Sequence, residues 1–232
     1  MIGIGDYWGT KYEYARYYLP FVVKTGIKFS DWKQAKEMLM VHPYENYPGF
    51  LPKKAGLMLD IGSQYADWAI IAAKKYGTHV IAFEASRENA DKAQANIDLN
   101  RLNKRIQLIN LAVGSRNEII EANYDGGMVN SIGRGEKEIL ETIRIDDLVV
   151  PDNLDLVKID IEGFELEALK GMELTLLRYK PRVVIETHSW KLFEECGNLL
   201  YGLGYEMKER NPGRKGNGSF DWVQESFWMV KE

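Results

Sequence analysis

The stretch VKIDIEGFELEALKG, Val157–Gly171, decides the fold. Its first half sets Val157, Ile159 and Ile161 against Lys158, Asp160 and Glu162 at alternate positions, the period of an extended chain. Its second half carries Phe164, Ala168 and Leu169 at helical spacing, with Glu165 and Glu167 in a first turn where acids complement the amino end of a helix. A strand feeding a helix is the unit of an α/β fold. Yet a strand buried on both faces of a parallel sheet should be uniformly apolar, so three charges on one side require a reason.

Outward from this stretch, short apolar runs alternate with helical periodicity. Leu57–Asp60, His79–Glu84, Ile106–Asn110, Leu154–Asp160 and Arg182–Glu186 read as strands. Tyr65–Tyr76 has helical spacing and a stop at Gly77, and Ser86 caps a helix bearing Ala90, Ala93 and Ile97. The pattern predicts a doubly wound, mostly parallel sheet. Gly204–Asn211 and Ser226–Lys231 follow without an intervening helix and predict an antiparallel hairpin that closes it. Upstream, Thr10-Lys-Tyr-Glu13 forms a capping box for a helix ended by Pro20, and Ser30 or Asp31 caps a second helix through about Met40. The chain divides into an aromatic-rich helical extension with a proline-containing linker, 1–54, and a main domain, 55–232.

The bulk composition excludes several classes. A net charge of −4 over 232 residues carries no electrostatic footprint for nucleic acid or an anionic membrane. The single cysteine, Cys196, forms no intrachain disulfide and belongs to no zinc-binding cluster. No apolar run is long enough to span a bilayer, and the expected location is cytoplasmic. Oligomeric state is left open.

Each of the five parallel strands ends in a polar residue: Asp60, Glu84, Asn110, Asp160 and Glu186. In open α/β sheets the ligand crevice lies beyond the carboxyl ends of the strands, so these side chains share one edge. Four are acids and none is basic, which disfavours a pyrophosphate and favours a ligand with hydroxyls and positive charge. S-adenosylmethionine, with a ribose diol, a sulfonium and an ammonium, meets those demands. Asp60 with Gly62, Ser63 and Gln64 then faces the methionine end, Glu84 accepts the ribose hydroxyls, and Ala85 and Ala112 flank the adenine. Asp60-Ile-Gly-Ser-Gln-Tyr-Ala66 lacks the glycines of a dinucleotide fingerprint, which argues against NAD.

These residues resemble the FkbM family of S-adenosylmethionine-dependent methyltransferases. The similarity covers about Leu57 to His188 and is most specific at Leu156–Gly171, which is similar to the family's K-I-D-x-E-G-x-E signature. Ala82–Glu84, Asn110–Gly114, Asn130-Ser131, Thr142–Leu148 and Val184–Glu186 support it. The resemblance implies a class I methyltransferase fold and methyl transfer to a hydroxyl oxygen of a sugar, polyketide or similar small molecule. It also shifts Glu165 toward a positioning role. In the first loop, Ser63, Gln64 and Ala66 replace the family's alanine, asparagine and last glycine.

A hydroxyl acceptor must lose its proton, and Asp160, Glu162, Glu186 and His188 are the candidate bases. An unperturbed imidazole near pKa ~6.5 suits that task, whereas His42 and His79 read as structural. The same four residues would admit a divalent ion, but spacing alone is weak evidence and no metal is assigned. The altered first loop keeps open a degenerate, non-catalytic cofactor-binding domain. Arg210, Arg214 and Lys215 keep open a macromolecular substrate.

Overall fold

The computed structural model describes residues 27–28, 47–125, 128–130, 136–211 and 223–231. The two helices expected before residue 41, His42, Ser131 and residues 212–221 between the two hairpin strands lie outside them. The first strand, β1 (Leu57–Ile61), is buried at all five positions, as an apolar run in the centre of a parallel sheet must be. It is followed by helix α1 (Asp67–Ile71), which continues as a π-helical segment to Tyr76 and stops where Gly77 turns left-handed at φ 73°. Next come β2 (His79–Phe83) and α2 (Arg87–Leu99), whose cap Ser86 accepts from the Asn89 backbone N–H. Then come β3 (Ile106–Ile109) and the short strand β4 (Ala112–Val113).

Three strands follow that the hydrophobic pattern does not predict: β5 (Ile119–Asp125), β6 (Met128–Asn130) and β7 (Glu136–Ile143). The α/β pattern then resumes with β8 (Leu154–Ile159), α3 (Glu165–Lys170), α4 (Glu173–Tyr179), β9 (Arg182–Thr187) and α5 (Trp190–Gly202). The chain closes with β10 (Tyr205–Arg210) and β11 (Gln224–Val230).

The main sheet has the order β10-β11-β9-β8-β1-β2-β3. Pairing is parallel from β9 through β3, and β11 runs antiparallel to both β9 and β10, as the hairpin reading predicts. From β1 the chain winds outward through β2 and β3, then returns to the other side of β1 with β8 and β9. The switch point therefore falls between the carboxyl ends of β1 and β8, where such sheets open a ligand crevice.

Alternate residues serve two core layers. Met58, Val80, Ala82, Leu156 and Val184 pack with Trp68, Ala93 and Ile97 of α1 and α2 on one face. Leu59, Ile61, Val157, Ile159, Val183 and Ile185 pack with Ala168, Leu169, Leu176 and Leu200 of α3, α4 and α5 on the other. Each such aliphatic side chain contributes about 1.5–3 kcal/mol by leaving water, which holds the strand tips rigidly at the crevice. The described part of the expected linker packs on this core: Phe50 is buried, and the Tyr47 ring lies 3.9 Å from that of Phe227.

A second sheet, ordered β4-β7-β5-β6, stands beside the first. Gly171, at the end of α3, approaches it so closely that a Cβ there would lie 2.0 Å from the Gly114 carbonyl oxygen. Among the described residues, no helix is long and apolar enough to cross a membrane.

Candidate active site at the switch point

The five polar strand ends come together at one edge, as expected. Asp60 lies within β1, Glu186 within β9, and Glu84, Asn110 and Asp160 immediately follow β2, β3 and β8. Gly62 adopts φ +81°, and a Cβ there would sit 1.8 Å from the Asp160 carbonyl oxygen, so only glycine permits this approach. The Asp160 N–H donates to the Ile61 carbonyl at 3.0 Å, while Gly62 and Ser63 donate to that of Phe83 at 3.0 and 2.9 Å. The first loop is thereby tied to both β2 and the β8 tip. Gln64 and Ala66 stand left-handed at φ 48° and 59°, a conformation that glycine adopts more readily.

Lys158 explains one charge of the opening stretch. Its Nζ donates to the Gly62 carbonyl at 2.6 Å and lies 3.4 Å from Asp60 Oδ1 and 3.7 Å from Asp160 Oδ2. Burial alone would push this ammonium down, but Asp60, Asp160 and Asp67 outweigh it and hold the pKa above the usual lysine value. Burial pushes Asp60 up to about 6, with Lys158 pulling the other way, so the pair is charged at neutral pH. Both Asp60 carboxylate oxygens and the Ser63 hydroxyl are buried without a hydrogen-bond partner among the described residues. Such atoms in a native site normally have partners, and a ligand with an ammonium and hydroxyls fits them.

Glu84 is buried. Its Oε2 accepts from the Gln64 N–H at 2.8 Å, and its Oε1 accepts from the Ser86 N–H at 2.9 Å and the Asn89 amide at 3.5 Å. Burial pushes its carboxyl up to about 7 against those hydrogen bonds. About four acceptor positions exist on a carboxylate, so most of its capacity holds the loop and the helix start in place. Asn110 donates to the carbonyls of Glu84 and Ala85 at 2.8 and 3.0 Å and so fixes the turn that carries them. Ala85 and Ala112 are half-buried at the same edge. Asn89 has no strong sequence signal beyond its place one turn into a helix capped by Ser86.

The acceptor-side candidates converge on His188, which is buried. Its Nδ1 lies 2.7 Å from Glu165 Oε1, and the same oxygen accepts from the Gly163 N–H at 2.8 Å. Its Nε2 faces Glu162 Oε2 at 3.3 Å, Glu186 Oε1 at 3.7 Å and Asp160 Oδ1 at 3.8 Å. Glu165 is fully buried, with its second oxygen unpartnered among the described residues. Burial would lower the imidazole pKa, but the hydrogen bond it donates to Glu165 and the surrounding carboxylates raise it to about 10. The unperturbed value assumed from the sequence therefore does not apply, and His188 carries a proton at neutral pH. Burial pushes Glu162 up to about 7, with His188 opposing.

One expectation is corrected in detail. The alternation of Lys158, Asp160 and Glu162 predicts a single extended wall, but β8 ends at Ile159. Glu162 reaches the cluster through a left-handed turn, φ 56°, followed by Gly163 at φ 108°.

A mostly parallel sheet with this switch point and an antiparallel closing hairpin defines the Rossmann-like methyltransferase class. Residues 60–207 match the methyltransferase FkbM domain model, and the chain belongs to that family. No curated protein matches the sequence. Among solved structures, the methyltransferase FkbM from Methylobacillus flagellatus KT is 18% identical with a TM-score of 0.52, over 95% of this chain and 61% of that one. The tRNA methyltransferase TrmK of B. subtilis gives 13%, 0.53, 82% and 66% by the same measures. Precorrin-6y C5,15-methyltransferase from Geobacter metallireducens GS-15 gives 16%, 0.50, 77% and 81%. This chain thus spans less than two thirds of the first two proteins, and identities this low establish the fold alone.

Proposed function

We propose that the protein transfers the methyl group of S-adenosylmethionine to a hydroxyl oxygen of a small metabolite or sugar. The observation that carries this reading is that the buried Asp60 carboxylate and Ser63 hydroxyl at the switch point have no hydrogen-bond partner among the described residues, beside a second cluster of proton acceptors. Asp60, Gly62, Ser63 and Gln64 hold the methionine end, Glu84 and Asn110 shape the ribose site, and Ala85 and Ala112 border the adenine. Asp160 stands between donor and acceptor. The cofactor supplies an electrophilic methyl group on a sulfonium, so the chain's own work is alignment of the two reactants and removal of the hydroxyl proton. One carboxylate of the cluster Asp160, Glu162 and Glu186 receives that proton, and His188, anchored by Glu165, holds the three together. The net charge of −4 supports a small acceptor over a nucleic acid.

Calorimetry with S-adenosylmethionine tests the donor side. Binding is expected, weakened about 10–100-fold in Glu84→Ala, the equivalent of one or two hydrogen bonds to a charged group. Absence of binding ends the reading. The left-handed Gln64 and Ala66 support one competitor, a domain that binds the cofactor without turnover. Mass spectrometry of methylated products from hydroxylated small molecules and from RNA or protein separates that competitor, and a macromolecular acceptor, from the proposal.

A further inference from the structure

We infer that Asp160, Glu186 and His188 hold a divalent metal cation on the acceptor side of the crevice, with Glu162 beside it. The inference rests on the proposed transfer reaction only for the cation's purpose, not for its binding.

The donor set is mixed and convergent. One oxygen each from Asp160 and Glu186 and one ring nitrogen from His188 lie within 4.8 Å of one another. From His188 Nε2, the nearest oxygens of Glu186 and Asp160 are 3.7 and 3.8 Å away, too far for hydrogen bonds. Around a cation with ligands at about 2.1 Å, octahedral geometry puts neighbouring ligand atoms about 3 Å apart and opposite ones about 4.2 Å apart. Both separations from His188 Nε2 fall between those limits, so movements of less than about 1 Å bring these atoms to ligand spacing. The ligands come from rigid places: Glu186 is in β9, His188 follows it by two residues on the same side of the chain, and Asp160 immediately follows the adjacent parallel strand β8.

The support behind the histidine points the same way. A ligating imidazole uses one nitrogen on the metal and donates the other N–H to a carboxylate or carbonyl, which fixes its tautomer and raises its basicity. Here buried Glu165 takes Nδ1 at 2.7 Å and is itself held by the Gly163 N–H, leaving Nε2 turned toward the three acids. When the cation binds, the Nε2 proton leaves to solvent and the freed lone pair becomes the third ligand. Imidazole together with carboxylates suits first-row ions such as Mn2+ better than a purely oxygen-seeking ion. Such a cation would polarise an acceptor hydroxyl and lower its pKa, and Glu162 is placed to take the released proton.

The test is titration of the full chain with Mn2+ alone, followed by the electron paramagnetic resonance of free Mn2+ and by calorimetry. One ion per chain is expected. Asp160→Asn and Glu186→Gln should each weaken binding at least tenfold, and Glu165→Gln, which does not touch the ion, about 10–100-fold. Glu84→Ala should leave Mn2+ affinity unchanged while weakening S-adenosylmethionine. Absence of Mn2+ binding to the unaltered chain overturns the inference, as does equal affinity in Asp160→Asn and Glu186→Gln. S-adenosylmethionine titrated into the same sample reports separately on the donor site of the proposed transfer: its binding where Mn2+ does not bind removes the cation and keeps the donor site, and the reverse removes the transferase and keeps the cation.

Discussion

The two sheets of this protein obey different rules. In the main sheet β1 is buried throughout, and in β8 only Asp155 is not fully covered. In the small sheet, β7 alternates: Leu140 and Thr142 are buried, while Ile139 is 66% exposed, as is Ile119 of β5 at 70%. All the candidate site residues except Ala112 lie on the main sheet or the turns that follow its strands. Burial on both faces makes the main sheet a frame in which a charge must be compensated, and that requirement turns its edge into a site. A one-sided sheet imposes no such demand.

Substitutions that exploit this difference should differ by an order of magnitude in effect. The largest is expected for Lys158→Met. Removing the cation leaves Asp60 and Asp160 facing each other across the switch point, at a cost of about 3–5 kcal/mol for a broken buried ion pair. Chemical denaturation would measure it, and a loss below 1 kcal/mol would show that the frame tolerates uncompensated charge.

Next comes a pH effect at Glu84. Its folded pKa of about 7 lies above the ordinary 4.5, so the unfolded chain releases this proton first as pH rises. Stability from this group is complete below pH 4.5 and is lost as pH climbs through 7, on the order of 3 kcal/mol in total. Glu84→Gln should therefore gain stability relative to the unaltered protein across that window, and parallel stability–pH curves would exclude the shift. A smaller change is expected for Gln64→Gly, which relieves a left-handed residue and should stabilise by about 1 kcal/mol in a thermal melt. The smallest is Ile139→Thr, on the open face of β7, expected within about 0.5 kcal/mol of the parent. A larger loss there would mean that this face is covered in solution.

The same contrast explains what was legible in the sequence. Short, mainly apolar runs announced β1, β2, β3, β8 and β9, and their polar ends announced the edge. The segment EKEILETI of β7 has no such run, because each inward residue is flanked by solvated ones, and β5 to β7 escaped notice for that reason. Within the site, residue types were readable but contacts were not. Glu165 meets His188 across 23 positions, and Lys158 meets Gly62 across 96, separations set by the strand order and by no local pattern. The turn at Glu162 was masked because alternation continues through it in sequence while the backbone does not.

Asp160 stands within ion-pair reach of both Lys158, at 3.7 Å, and His188, at 3.8 Å. Under the proposed transfer, one carboxylate is therefore common to the donor wall and the acceptor wall, and a charge brought to either wall alters the field at the other. Thermodynamic linkage makes that influence reciprocal: the factor by which a bound donor changes affinity on the acceptor side equals the factor by which an acceptor-side ligand changes affinity for the donor. The two halves of the crevice share an energy, and their binding constants cannot be tuned independently while Asp160 remains.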